Sequence, residues 1–114
     1  MLLILMMVRW SVLENHKYAV VDIETTGHSS ANGDRIIQLA IVFIENNKIT
    51  GSFNTFVNPQ KQIPLFIQDL TNIKEEDVKD APRFEEIAPK VLEMLQDHIF
   101  VAHNTNFDLT FLQQ

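Results

Sequence analysis

Asp22 and Glu24 stand two residues apart in the run Tyr18-Ala-Val-Val-Asp-Ile-Glu24. In an extended strand such residues point to one face, with Cα atoms roughly 6.6 Å apart at about 3.3 Å per residue, so both carboxylates reach one site. Two carboxylates in an apolar strand are costly to desolvate unless a cation pairs with them, and no Lys or Arg follows on this run after Lys17. A divalent metal resolves that conflict. The plainer alternative is a solvated strand end whose acids cap the turn Thr25-Thr26-Gly27. Asp108 is a third acid, placed in the first turn of a helix after the short apolar run Ile99 to Ala102. Alone it reads as a favourable partner of the helix dipole. In a mixed sheet, however, the loop after Ala102 can lie beside the end of the first strand, and the three carboxylates then converge. Hard oxygen ligands suit magnesium or manganese, held by a few carboxylates together with substrate phosphate oxygens. Two such ions about 3.5 to 4 Å apart can generate hydroxide and stabilise the leaving oxygen of a phosphodiester. Three acids leave two divalent ions under-neutralised, so a fourth acid and a general base are expected elsewhere.

The elements that must place these residues follow from periodicity. Lys17 to Glu24 is β-branched and aromatic on both alternating faces, as in a central buried strand. Residues 28–34, all small or polar, form a loop to a second strand over Ile36 to Ile44. Asn46-Asn47 can take the positive φ angles of a tight hairpin, and a third strand runs over Lys48 to Val57, ended by Asn58-Pro59. Loops with one or two short helices are expected over Pro59 to Asp80, with Asn72 and Glu75 at capping spacing. Phe84, Ile87, Val91 and Leu95 repeat at helical spacing opposite Glu85, Glu86, Lys90 and Glu93, which predicts an amphipathic helix that starts late or bends at Pro89. A short strand over Ile99 to Ala102, a turn over His103 to Asn106 and a last helix bearing Phe107, Phe111 and Leu112 complete the pattern. The fold class is α/β: a three-strand antiparallel meander, then helix, strand and helix, giving a mixed sheet covered by helices.

Composition sets the limits. The 114 residues are 46% hydrophobic and 21% charged, enough to build one core but too few for two complete domains. A formal charge of -6 gives no overall basic field, so contact with nucleic acid must be local. The absence of cysteine removes thiolate sites and is compatible with a reducing cytoplasm, the expected location. No apolar run approaches a membrane span, and no membrane partner is expected. Residues 1–16 read as an extension outside the domain: Met1 to Val8 has the length of a signal-peptide core but lacks a charged start and a cleavage site. The apolar stripe at Phe107, Phe111 and Leu112 stops at Gln113-Gln114 without a helix stop signal, so residues 17–114 read as the N-terminal part of a domain truncated at the C-terminus. Such a fragment should expose a strand edge and apolar surface and be poorly soluble.

Asp22-Ile-Glu-Thr-Thr-Gly27 resembles the first motif of DnaQ-like exonucleases, the DEDD superfamily with a ribonuclease H-like fold, and His103-Asn-x-x-Phe107-Asp108 resembles the second. Arg35-Ile-Ile-Gln-Leu-Ala, Ile63-Pro-Leu-Phe-Ile and Leu70-Thr-Asn-Ile73 match the family's intervening run. Residues 28–35 and Asn58-Pro59 are most similar to the exonuclease domain of DinG-type proteins, in which a helicase-like region follows. The resemblance implies that Asp22, Glu24 and Asp108 are catalytic ligands of two divalent metal ions, Mg2+ or Mn2+. It places Thr25 and Thr26 where the terminal nucleotide binds. Phe107 reads by its stripe as core-facing, with a ring that could stack on a base. The implied reaction removes nucleoside monophosphates from the 3′ end of single-stranded or frayed DNA, with RNA open as a variant, in company with a helicase-like region or a polymerase. The family's third motif, with a histidine base and a fourth aspartate, has no match here, so the fragment itself is expected to be inactive. His103 belongs to the second motif and reads as structural. His16, His28 and His98 read as surface residues, and Asn72 stands where many relatives have glycine. The competing reading is a non-catalytic nucleic-acid-binding or regulatory module with an incomplete site.

Overall fold

The structure, a computed structural model, describes residues 16–102 and 110–113. The expectations for the N-terminal extension and for His103, Phe107 and Asp108 therefore fall outside the described residues. The chain forms β1 (Lys17–Thr25), a 3-10 turn (Ser30–Asn32), β2 (Ile36–Glu45) and β3 (Lys48–Phe56). It continues through α1 (Leu65–Thr71), α2 (Glu75–Val78), α3 (Phe84–Leu95) and β4 (Ile99–Ala102), and residues 110–112 are helical.

The four strands make one sheet in the order β3-β2-β1-β4. β1 pairs antiparallel with β2 and β2 with β3, and β4 returns parallel to β1. The expected meander and helical crossover are both present. β1 sits in the middle because it can be buried on both faces: Ala19, Val20 and Val21 are wholly inaccessible. β3 carries Lys48, Thr50, Ser52 and Asn54, all exposed, and lies at the sheet edge, where polar side chains discourage further pairing. The β2–β3 hairpin turns at Asn46 and Asn47 with φ of 53° and 66°, flanked by the Glu45–Lys48 pair. Two consecutive positive φ angles match the right-handed twist of the strands, and Asn tolerates them.

One face of the sheet, with Ala19, Val21, Ile23, Leu39 and Ile41, packs against Val91 of α3 and Phe111. Phe84, Ile87, Met94 and Leu95 extend that contact, while Glu85, Glu86, Lys90 and Glu93 face solvent as their spacing predicts. α3 begins at Phe84 and runs through Pro89, so the expected late start is not found. Its start is fixed instead by the Arg83 backbone N–H donating to the Glu86 carboxylate at 2.9 Å, and Pro89 lies on the exposed side, where solvent can satisfy the freed Glu85 carbonyl.

The expected Asn72–Glu75 cap is corrected. Asn72 takes φ of 59° and closes the C-terminal end of α1. The start of α2 is capped by Asp77, which accepts from the Lys74 N–H at 2.8 Å. Glu75 instead accepts from the Ile63 N–H at 2.7 Å and ties the loop before α1 to α2. Both helices pack through Ile63, Ile67, Ile73 and Val78 onto Ile37.

Candidate active site

Asp22 and Glu24 lie on the face of β1 opposite the α3 layer, continuing the row of Tyr18 and Val20 toward the strand's carboxyl end. Along this row Tyr18 and Val20 are buried and the two acids are half-buried, so the apolar strand delivers both carboxylates to a partly desolvated place. Across β2, Asp22 opposes Ala40 and Glu24 opposes Gln38. Opposed residues share a face, so Ala40 and Gln38 flank the two acids on the neighbouring strand. Immediately after Glu24 the register shifts, and Thr25 pairs with Ile36 across the irregularity.

The carboxyl of Glu24 is held above its ordinary range, first by burial and second by the charge of Asp22. No ion pair to either acid occurs among the described residues, and no third acid or histidine joins them there. A pair of hard oxygen donors, one already disfavoured as an anion by its neighbour, fits a divalent cation that would relieve both burdens.

The parallel pairing of β4 with β1 sets where the chain leaves the sheet on its way to Asp108. Val21 opposes Ala102, one residue short of Asp22, so the chain leaves β4 at the end of the sheet that carries the acids. It returns by Phe111, buried in the cluster with Val21 and Ile23. Ala102 and Phe111, the residues described before and after 103–109, thus both lie against β1 or its cluster. Asp108 lies six positions beyond Ala102, within a chain reach of about 20 Å. Asp108 and Phe107 are themselves outside the described residues.

The structure gives the two threonine hydroxyls internal work. Thr25 Oγ1 donates to the Gly27 carbonyl at 2.6 Å. Thr26 Oγ1 accepts from the Arg35 N–H at 3.0 Å and donates to Asp34 Oδ1 at 3.2 Å. Thr26 is only 1% exposed. Both hydroxyls of this turn are therefore engaged within the chain. Asp34 and Gln38 are site-proximal residues that the sequence reading passed over. For Asp34 the sequence offers only an acid that ends a loop of small and polar residues, just after Gly33 and seven positions beyond the Gly27 that follows Thr25-Thr26. Of the histidines, His16 and His28 are exposed as expected, whereas His98 is half-buried with its ring 5.1 Å from that of Phe43.

Comparison with known proteins agrees with this geometry. Residues 19–114 match the RNase_T family model, described as exonuclease. The chain is 45% identical over 101 residues to 3′-5′ exonuclease DinG of Bacillus subtilis (strain 168), covering 89% of this chain and 11% of that protein. It is 52% identical over 97 residues to DNA polymerase III PolC-type of Caldanaerobacter subterraneus subsp. tengcongensis, covering 85% of this chain and 7% of that protein. The chain thus spans about a tenth of the length of these relatives. Among solved structures, Exonuclease X in complex with 5′ overhanging duplex DNA superposes with a TM-score of 0.70 at 26% identity, covering 82% of this chain and 52% of that one. The mixed sheet is accordingly the ribonuclease H-like sheet of such nucleases. A strand that ends in paired acids, a parallel neighbour that comes just before the second motif in sequence and a family match over nearly all of the described residues place the chain in the exonuclease family.

Proposed function

We propose that the protein containing this chain is a metal-dependent 3′–5′ exonuclease that removes nucleoside monophosphates from the 3′ ends of DNA. The observation that carries this reading is the placement of Asp22 and Glu24 on one face of β1, at the end of the sheet where the parallel β4 releases the chain toward Asp108. Asp22, Glu24 and Asp108 are the residues that would hold two divalent ions, Mg2+ or Mn2+. When bound, such ions polarise the scissile phosphate and lower the pKa of an attacking water. The Thr25–Gly27 turn forms a wall against the terminal nucleotide. The general base is the histidine that the resemblance assigns to a third motif.

DNA as substrate is supported by the DNA-bound Exonuclease X neighbour and by the relative named as a DNA polymerase. We place residues 17–114 in the N-terminal part of the exonuclease domain and residues 1–16 outside it. A helicase-like region or a polymerase would share the polypeptide or its complex, in the cytoplasm. No helix among the described residues is long and apolar enough to cross a membrane.

The test uses the full natural protein with Mn2+ or Mg2+ and a single strand labelled at one end. The reading requires release of a labelled mononucleotide from the 3′-labelled strand at the earliest times and a ladder of shortened products from the 5′-labelled one. Binding without any product favours the non-catalytic module instead.

A further inference from the structure

We infer that Asp34 is a positioning residue for the terminal-nucleotide wall, its carboxylate clamping the Thr25–Gly27 turn that follows Glu24. This inference rests on the exonuclease reading and adds a residue to it. The turn has few ways of holding its own shape, because the ladder between β1 and β2 breaks at the register shift between Glu24 and Thr25. Past that point the backbone is tied by the Thr26 N–H donating to the Arg35 carbonyl at 2.8 Å and by the Arg35 N–H donating to Thr26 Oγ1 at 3.0 Å.

Asp34 closes this arrangement from the other side. One carboxylate oxygen accepts from the Thr26 hydroxyl at 3.2 Å, and the other accepts from the Ser29 N–H at 3.1 Å. Lys61 Nζ stands 3.8 Å from Oδ1 and donates to the Gly33 carbonyl at 3.1 Å, so the carboxylate keeps a cationic partner on its outer side. The loop is folded to deliver it: Ser29 caps the 3-10 turn, accepting from the Asn32 N–H, and Gly33 turns the chain back with φ of 90°.

Gly27 is the independent mark of the clamp. A Cβ on Gly27 would overlap all three atoms of the Asp34 carboxyl group, with Cγ at 2.6 Å. Its φ is not in the left-handed region, so close approach of Asp34, rather than backbone conformation, is what demands glycine there. Gly27 and Asp34 therefore act as one unit, and changes to them must be strongly non-additive.

The experiment compares full-length wild type with Asp34→Ala, Asp34→Asn, Gly27→Ala and the double variant Gly27→Ala with Asp34→Ala. Three readouts are needed: kcat and KM on a 3′-end substrate, the inhibition constant of thymidine 5′-monophosphate with Mn2+, and the melting temperature. The inhibition constant does not change when part of a preparation is merely unfolded. It is expected to rise about tenfold or more for Asp34→Ala and for Gly27→Ala, the scale of a small misplacement at a reacting end. Asp34→Asn, which keeps one accepting oxygen and the same volume, recovers part of the loss. The double variant should be no worse than the poorer single, because removing the carboxylate also removes the clash. Multiplying deficits in the double variant, or an unchanged inhibition constant in Asp34→Ala, overturn the inference and leave the exonuclease reading standing. A wild-type protein that releases no nucleotide overturns that reading and the positioning role with it.

Discussion

At the residue scale Asp22 and Glu24 form an electrostatic conflict that a bound cation would relieve. Glu24 is pushed up first by burial and then by Asp22, so the folded protein binds a proton there more tightly than the unfolded chain does. By linkage, Glu24 supports folding fully below the ordinary carboxylate range, and that support is lost as pH rises through its raised pKa. Without metal, Glu24→Gln is therefore expected to raise the melting temperature at neutral pH by roughly 2 to 5 °C, a small shift because the group is partly screened by solvent. The same substitution should abolish most of the stabilisation that Mn2+ gives to wild type. Metal affinity in wild type should fall as pH drops toward the raised pKa, since proton and metal compete for one carboxylate. Thermal scans across pH with and without Mn2+ check all three, and a lowered metal-free melting temperature in Glu24→Gln would contradict the account. The paired acids were legible in the sequence because strand periodicity is enough to put them on one face. The clamp by Asp34 was not, since it depends on how a seven-residue loop folds back, and no periodic signal encodes that.

At the element scale, local chemistry and packing agree for β1, the Asn46-Asn47 hairpin and the apolar stripe of α3, and those were readable. Two features were not. Asn72 has both the residue type of an N-cap and the left-handed tolerance of a C-cap, and only the packing of α1 and α2 on Ile37 decides for the latter. Pro89 weakens a helix on propensity alone, yet tertiary contacts of Phe84 and Ile87 hold the first turns on the sheet. Restoring the donor should therefore stabilise the helix: Pro89→Ala is expected to gain about 1 kcal/mol, less than the roughly 3 kcal/mol interior penalty because proline also restrains the unfolded chain. Urea denaturation measures it, and a loss of stability would show that the proline fits a bend the packing requires.

At the scale of the whole molecule, β4 is hydrogen-bonded only to β1 and no other strand pairs with its far side among the described residues. Beside it runs an apolar groove of about 330 Å³ lined by Phe84, Val91, Leu92, Leu95, Phe100 and Leu112. Leu92 is 65% exposed. An open strand edge next to an apolar groove favours association, and a net charge of -6 opposes it only weakly at physiological salt. The 114-residue chain on its own is expected to self-associate at micromolar concentration, and Leu92→Lys should reduce that association at least severalfold. Sedimentation velocity reads both, and a monomeric wild-type chain with a cooperative melt would contradict the expectation.

The central claim is that Asp22 and Glu24 hold the metal that drives hydrolysis at a 3′ end. Its most direct test is the rate of mononucleotide release by the full natural protein at saturating Mn2+, measured side by side for wild type, Asp22→Ala and Glu24→Gln. The account predicts release by wild type and a loss of roughly 10²- to 10³-fold in each variant, the scale of removing several kcal/mol of transition-state charge stabilisation. Variant rates equal to that of wild type, with folding intact, would contradict it.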